Sequence, residues 1–286
     1  MLLRIVTAAV LIPIFVALVW WGPPALLAAI AALVAILALV EFLALGDRVG
    51  MRGYKKWSYV CTALIFYAQY SAGFVIKHSF SEGISIIRDA AVGQLSLEGV
   101  LLIFIFGCVA LGLWSRQPLH EVLPAISISA AGILFVALPF SYIVRLNEIE
   151  GVGRQLVLFN LVLIWAGDML AYFVGNSLGR VPMAPALSPK KTWEGALGNL
   201  LASLLVAVFF ARWTQMEVLV PLVIAGAANL AGQAGDLIES AYKRGAGAKD
   251  SGALVPGHGG VLDRIDSLIL ASPIVWVLYQ WLAQAR

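Results

Sequence analysis

Residues 24–45 read PALLAAIAALVAILALVEFLAL, an apolar segment in which Glu41 is the one ionisable residue. A helix needs about 20 such residues to cross the hydrocarbon core of a bilayer. Several other apolar segments approach or exceed that length in this chain, which is 61% hydrophobic and 12% charged over 286 residues. The alternating pattern of a membrane β-barrel is missing. The sequence therefore predicts an all-α fold, a polytopic membrane helical bundle.

The hydropathy of the chain predicts about nine transmembrane helices, with ends placed to within a few residues. They lie near 5–21, 24–45, 57–76, 100–114, 122–144, 156–178, 196–213, 218–235 and 267–283. The motif-bearing polar segments are all in the second half. We therefore divide the chain into an N-terminal transmembrane scaffold of about five spans, 1–150, and a C-terminal transmembrane catalytic region, 151–286.

Basic residues are distributed unequally between the two sides that these spans define. Of the 19 Lys and Arg residues, 13 lie on the side of the N-terminus and 6 on the opposite side. Because basic residues accumulate in cytoplasmic loops, the N-terminus and the loops 179–195 and 236–266 are predicted to be cytoplasmic. The predicted location is the cytoplasmic (inner) cell membrane. The small net charge of +3 is spread through the loops and gives no case for nucleic-acid binding.

The loop 236–266 begins with acidic and basic residues at helical spacing. In a helix, Asp236, Ser240 and Lys243 would lie on one stripe, with Glu239 beside them. Such a stripe can hold a cation and a phosphate together. Carboxylates suit Mg²⁺, which completes its coordination shell with water and substrate phosphates.

A second acidic pair, Asp263 and Asp266, lies three residues apart at the entrance to the last predicted span. Metal binding is one interpretation of the pair, and capping of the helix amides is the alternative. Ordinary anchoring at the membrane surface is likewise an alternative for the basic residues of this loop. Those residues are Lys243, Arg244, Lys249 and Arg264.

Six glycines separate the two acidic pairs and would let backbone amides approach an anion. They are Gly245, Gly247, Gly252, Gly257, Gly259 and Gly260. A flexible linker is the alternative interpretation. His258, which has glycine on both sides, is a candidate functional residue whose role the sequence leaves open.

The sixth predicted span carries Asp168, Tyr172 and Gly175 on one helical stripe. An ionisable residue inside a membrane indicates a functional site. Helix packing is the alternative, because Gly175 and Gly179 form a pair of small residues four positions apart. We favour function for the aspartate and packing for the glycines.

The next loop reads LSPKKTWEG over residues 187–195. Its Lys190, Lys191 and Thr192 offer donors that suit phosphate. Anchoring at the membrane surface explains the lysines adequately. It does not explain Ser188, Thr192 and Glu194 in so compact a segment.

These residues together resemble the signature of phosphatidate cytidylyltransferases, also called CDP-diacylglycerol synthases. In the C-terminal loop the signature falls on Ser240, Lys243, Arg244, Lys249, Asp250, His258, Gly259, Gly260, Asp263, Arg264, Ile265 and Asp266. Upstream, the resembling positions are Asp168, Ala171, Tyr172, Gly175, Gly179, Arg180, Ser188, Pro189, Lys191, Thr192, Glu194 and Gly195. Mild departures occur at Asn176, Tyr242 and Val255.

The resemblance implies a nucleotidyltransferase that moves CMP from CTP to phosphatidic acid, giving CDP-diacylglycerol and pyrophosphate in phospholipid biosynthesis. It implies dependence on Mg²⁺, with K⁺ as a possible second cation. The implied partners are CTP, phosphatidic acid and the lipid bilayer, and the implied assembly is a homodimer. Spacing reveals neither the basis of cytosine selectivity nor any preference among acyl chains.

By resemblance, the catalytic residues are Asp236, Lys243, Asp263 and Asp266. Among these, Asp236 and Asp263 would coordinate the metal, and Asp266 would support or share that role. Phosphate contacts would come from Lys243, Arg244, Lys249 and Arg264, with Ser240 orienting a ligand or phosphate. The remaining substrate-binding positions are Asp168, Ser188, Lys191, Thr192, Glu194 and His258.

Two other functions fit part of the pattern. A CTP-dependent lipid kinase would use the same nucleotide but transfer its γ-phosphoryl group to a lipid alcohol. A secondary transporter would bind coupling ions at Asp168 and Asp236, but it would be built from inverted repeats, and none is visible in the sequence. Product analysis distinguishes the kinase from the cytidylyltransferase, because the first releases CDP and the second releases pyrophosphate.

Overall fold

The computed structural model describes residues 2–82, 95–114, 118–254 and 259–284. Helices dominate these residues. The first five are α1 (Leu2–Trp21), α2 (Pro24–Arg48), α3 (Lys55–Glu82), α4 (Leu97–Trp114) and α5 (Leu119–Gly132). After a π-helical turn at Ile133–Ala137 come α6 (Leu138–Asn147), α7 (Gly153–Leu178), α8 (Trp193–Thr214), α9 (Leu219–Gly245) and α10 (Leu262–Gln284).

Six helices among the described residues are long and apolar enough to cross a membrane, with α5, the π turn and α6 counted as one. They are Pro24–Arg48, Leu97–Trp114, Leu119–Asn147, Gly153–Leu178, Trp193–Thr214 and Leu262–Leu282. This confirms the helical, multi-pass class that the sequence predicts. Helices α1, α3 and α9 lie where the other three spans were expected, so the count of nine spans stays a prediction, as does the side of the N-terminus.

The first compact unit contains residues 1–151 together with the segment 250–262. Helix α2 forms much of its core, because Ala35, Ala38 and Leu39 are completely buried. Gly132, at the end of α5, packs so closely on Leu39 that a Cβ there would overlap the leucine side chain. Small residues therefore let α5 approach α2, as is usual between membrane helices.

The second compact unit contains residues 152–249 and 263–286 and includes most of the predicted site residues. Helices α7 and α8 pack along a line of small residues, with Gly198 of α8 against Val174 of α7. Farther along the same pair, the rings of Phe159 and Phe210 stack with centroids 4.3 Å apart. The boundary after Gly151 lies next to the division expected from sequence, but 250–262 groups with the first unit.

The loop between α7 and α8 forms a short antiparallel hairpin, which differs from the purely helical expectation. Strand β1 (Pro182–Ala184) pairs with β2 (Ser188–Thr192), with Pro182 opposite Thr192 and Ala184 opposite Ser188. Prolines at 182, 185 and 189 disfavour a helix here because each lacks an amide donor and fixes φ. The hairpin ends at Thr192, whose Oγ1 accepts a hydrogen bond from the Gly195 amide at 3.1 Å and caps α8.

Candidate active site

Three carboxylates meet where α9 and α10 pack in the second unit. One oxygen from each of Asp236, Glu239 and Asp266 lies within 4.8 Å of the other two. Asp236 and Glu239 are three residues apart and so lie on the same side of α9, while Asp266 is in the second turn of α10. Carboxylates this close repel one another unless a positive charge lies between or beside them. Their oxygens are the ligands that hard divalent cations prefer.

Lys243 connects two acids of this region. Its Nζ donates a hydrogen bond to Asp263 Oδ1 at 2.5 Å and forms an ion pair with Glu239, one helical turn earlier on α9. The side chains of Lys243, Asp263 and Glu239 are only 11%, 8% and 0% exposed. Burial alone lowers the pKa of Lys243, but the hydrogen bonds and charges of the two acids outweigh it and raise that pKa above its ordinary value.

Glu239 is the most deeply buried acid of the cluster. Burial raises the pKa of its carboxyl group to about 7, although the adjacent Lys243 opposes that rise. Oε2 of Glu239 contacts Lys243, and Oε1 has no hydrogen-bond partner within the described part of the chain. A buried carboxylate oxygen without a donor fits a cation ligand, because the cation would favour the ionised form of the acid.

The hairpin contributes a second lysine, which pairs with a different acid of the cluster. Lys191 of β2 forms an ion pair with Asp236, and both side chains are 30% exposed. An anion that enters this region could replace Asp236 as the partner of Lys191, and the lysine would then still face a negative charge. The contact brings together the two loops that the sequence singled out, 179–195 and 236–266.

A cavity of about 280 Å³ opens between these elements. Its polar wall is formed by Asp168, Lys190, Lys191, Thr192, Gln233 and Asp236. Small residues, including Gly175 and Gly195, leave space on the α7 and α8 sides. The arrangement suits an anionic ligand whose charge meets the lysines.

Asp168 belongs to a polar network inside the helices. Its Oδ1 accepts a hydrogen bond from Asn199 Nδ2 at 3.2 Å. Asn229 Nδ2 donates to Asn199 Oδ1 at 2.5 Å and to Ser203 Oγ at 2.7 Å, while Gln233 Nε2 donates to Asn229 Oδ1 at 2.7 Å. The network fixes the orientation of Asp168 at the wall of the cavity.

The sequence analysis placed Glu239 beside the acidic stripe of α9 but gave no role to Asn199, Asn229 or Gln233. A signal for Asn229 and Gln233 was available, because 229, 233, 236, 240 and 243 follow one another at helical spacing on α9. Polar residues at such positions in a membrane protein indicate a functional face. Asn199 offers no comparable pattern, and only its contact with Asp168 reveals it.

The remaining predicted residues divide into two groups. In the first group, Arg244 donates hydrogen bonds to the carbonyls of Leu187 and Ala248, and Glu194 accepts one from the Val181 amide. Ser188 lies in β2, and Ser240 is buried on α9. Lys249 and Arg264 have exposed side chains, and His258 lies outside the described residues.

Asp263 was expected among the metal ligands, but it is not one of the three acids whose oxygens lie close together. The cluster of three acids contains Glu239 in its place, and Asp263 is instead bonded to Lys243. The structure thus brings together Asp236 and Asp266 from the expected metal set, and a metal role for Asp263 stays a prediction. The predicted residues Asp168, Lys191, Thr192 and Asp236 share one cavity.

Comparison with known proteins is consistent with this site. A phosphatidate cytidylyltransferase of Bacillus subtilis is 37% identical over 147 residues, covering 51% of this chain and 55% of the relative. Proteins of the same name from Haemophilus influenzae and Brucella abortus are 38% and 41% identical, over 59% and 55% of their own lengths. The chain thus aligns with somewhat more than half the length of each of these relatives.

The match to a family model is far longer than these pairwise alignments. The model of the cytidylyltransferase family matches residues 2–282, which include every described residue of the acidic cluster, the hairpin and the cavity. The resemblance that the motifs indicated therefore extends over nearly the whole sequence. This chain belongs to the cytidylyltransferase family.

Proposed function

We propose that this protein transfers the cytidylyl group of CTP to phosphatidic acid, forming CDP-diacylglycerol and pyrophosphate. The observation that carries the proposal is the cluster of Asp236, Glu239 and Asp266, two of which pair with Lys191 and Lys243, in a cytidylyltransferase family member. The relatives named above are phosphatidate cytidylyltransferases, which supports the same acceptor lipid.

The reaction demands compensation of charge more than activation of a nucleophile. A phosphate oxygen of phosphatidic acid attacks the α-phosphorus of CTP, a new P–O bond forms, and the bond to the β-phosphate oxygen breaks to release pyrophosphate. Both reactants are anions that repel each other. Cationic groups that hold them in line for attack therefore supply most of the catalysis.

Mg²⁺ would be held by Asp236, Glu239 and Asp266, with Asp263 as the further ligand that the family resemblance implies. When bound, it would neutralise phosphate charge, and a K⁺ ion beside it is part of the same proposal. The oxygen donors of the cluster, their mutual proximity and the unpartnered Oε1 of Glu239 among the described residues support this choice of metal.

The protein's own groups would bind and orient the two substrates. Lys191 would exchange its contact with Asp236 for a substrate phosphate, and Thr192 would lie beside that phosphate at the start of α8. Lys243 would hold Asp263 and Glu239 in place next to the reacting groups. Asp168, held by Asn199, would define the far wall of the substrate cavity.

We further propose that the site opens to the cytoplasm from the inner membrane, with nine spans and a cytoplasmic N-terminus. The excess of basic residues on the side of the two site loops supports this orientation. A homodimer, which the resemblance implies, belongs to the same proposal and is testable by cross-linking in the membrane.

The decisive experiment follows the label of CTP into lipid. Purified protein in lipid vesicles receives phosphatidic acid, Mg²⁺ and CTP labelled on the α-phosphate, and a parallel sample receives γ-labelled CTP. We expect α-label in the lipid phase and pyrophosphate in solution. Asp236→Asn should reduce labelling by about 100-fold or more, because it removes an acid of the cluster.

The matched control is Asp47→Asn, which removes an exposed acid whose partner is Lys55 on the surface of the first unit. It should leave labelling unchanged. Transfer of γ-label to lipid would replace the proposal with a lipid kinase. If neither label entered the lipid in a folded sample, both the cytidylyltransferase and the lipid kinase would be contradicted.

A further inference from the structure

Glu41 is a buried acid in the last third of α2, and the first unit places it against residues more than 200 positions away. Its side chain is 4% exposed. Oε2 accepts hydrogen bonds from Ser251 Oγ and from the Leu262 amide, both at 2.9 Å, and Oε1 accepts one from the Val261 amide at 3.1 Å. All four residues belong to the same compact unit.

Two glycines make this approach possible. A Cβ at Gly252 would overlap Oε1 of Glu41, and a Cβ at Gly260 would overlap both Oε2 and the Ser251 hydroxyl. Backbone at Gly252 and at Gly260 therefore lies directly against the carboxylate. Glycines that sequence analysis assigned to anion binding or to a linker have a steric role here.

The hydrogen bonds to Glu41 stabilise the position at which α10 begins. A buried carboxylate must be compensated by donors, and bonds to a charged acceptor are stronger than neutral ones. Two of the donors are the successive amides of Val261 and Leu262, where α10 begins. Early helix amides lack partners within their own helix, so Glu41 supplies a cap from a distant position in sequence.

Chain connectivity extends the effect to the acidic motif. Leu262 is bonded directly to Asp263, and Asp266 follows one helical turn later. A shift of the first residue of α10 would displace both carboxylates, and groups that bind a metal tolerate only small displacements.

We propose that Glu41 is a positioning residue for the reaction, which acts through Val261 and Leu262 at the start of α10 to hold Asp263 and Asp266 where they bind metal. This inference rests on the proposed function. It assigns catalytic importance to a residue of the N-terminal half, which otherwise serves as scaffold. Glu41 touches neither substrate nor metal in this scheme.

Glu41→Gln is the most informative variant. It keeps the size of the side chain but replaces one acceptor oxygen with an NH₂ donor. In one orientation this donor faces the Val261 amide, and in the other it faces the Ser251 hydroxyl and the Leu262 amide. Ser251→Ala removes one hydrogen bond and keeps the two amide contacts. This milder variant can be tested even if Glu41→Gln folds poorly.

Gln69→Leu is a matched control for a purely structural role. Gln69 is also 4% exposed, belongs to the same unit and donates a hydrogen bond to Ser141 Oγ at 3.1 Å. Removing it also disrupts a buried polar contact, but one made with Ser141 of α6. A general loss of stability should therefore appear in both variants.

The first measurement does not depend on activity. Amide hydrogen exchange is followed over the peptide that contains Val261 and Leu262, in wild type and variants. Glu41→Gln should accelerate exchange there about tenfold, whereas Gln69→Leu should leave that peptide unchanged. Unchanged exchange in Glu41→Gln would overturn the proposal.

The second measurement is the Mg²⁺ and CTP dependence of lipid labelling. Glu41→Gln should raise the concentrations needed for half-maximal rate about tenfold, Ser251→Ala should raise them less, and Gln69→Leu should not change them. If Glu41→Gln accelerates exchange but leaves both constants unchanged, its role is structural and the proposal fails. If the wild type forms no CDP-diacylglycerol, the proposed function fails, while the exchange data still report whether Glu41 holds the segment.

Discussion

At the scale of single residues, Lys243 has the largest predicted effect. It is nearly buried between Asp263 and Glu239, so Lys243→Met would leave two buried acids without their cation. We expect a loss of about 3–5 kcal/mol in stability and of about 100-fold or more in lipid labelling. Thermal unfolding and the labelling assay measure the two effects.

Lys55→Met provides the comparison, because Lys55 pairs with Asp47 on the surface, where the two side chains are 43% and 35% exposed. Its cost should be about 1 kcal/mol or less, since exposed ion pairs contribute little. Equal losses in the two variants would show that burial does not strengthen the Lys243 contacts.

The residue scale also shows what could be predicted from sequence. Spacing alone placed Asp236 and Lys243 on one face of a helix, and the structure brings Asp236 together with Asp266. Spacing could not decide between Asp263 and Glu239 for the third position in the cluster. That choice depends on the rotation of α9 against α10 and on the reach of Lys243, which are properties of packing.

At the scale of helices, the close contact of α7 and α8 predicts a pair of opposite effects. A Cβ at Gly198 would come within about 3 Å of the Val174 side chain, so Gly198→Ala must displace α8 from α7. We expect a loss of about 1–3 kcal/mol. Gly226 of α9 has open space around its Cα, and Gly226→Ala should be neutral or stabilise by about 0.5–1 kcal/mol.

Thermal unfolding in one detergent compares these two alanine variants directly. A lower melting temperature for Gly198→Ala together with an unchanged or higher one for Gly226→Ala would support the close contact. If both variants melted alike, packing at Gly198 would not limit the approach of the helices.

The helices themselves were predictable because each is a long apolar segment, whereas the hairpin was not. Its two strands, Pro182–Ala184 and Ser188–Thr192, are too short to produce a pattern of alternation. Prolines indicated only that a helix was excluded. The turn of the hairpin, and hence the position of Lys191 beside Asp236, depends on contacts with α9 that sequence does not encode locally.

At the scale of the whole molecule, hydropathy predicted the order of the helices but not the contacts that join the segment 250–262 to the first unit. The segment 250–262 lies late in the sequence yet belongs to the first unit, because Glu41 binds its Ser251 and its last two amides. A contact across more than 200 residues leaves no periodic trace. Glu41 was conspicuous only as an acid in an apolar span, which indicated importance without a partner.

Membrane orientation gives the last prediction, which is independent of the total number of spans. Glu150 and Lys190 are exposed residues on either side of the single span α7, so they must face opposite compartments. Cys61 and Cys108 are buried, which leaves a cysteine introduced by Glu150→Cys or Lys190→Cys as the accessible thiol of each variant among the described residues. In intact cells a membrane-impermeant maleimide should label position 150, whereas position 190 should react only after permeabilisation. The reverse pattern would place the acidic cluster and the hairpin away from the cytoplasm, where CTP would not reach them. It would contradict the proposed orientation together with the function that depends on it.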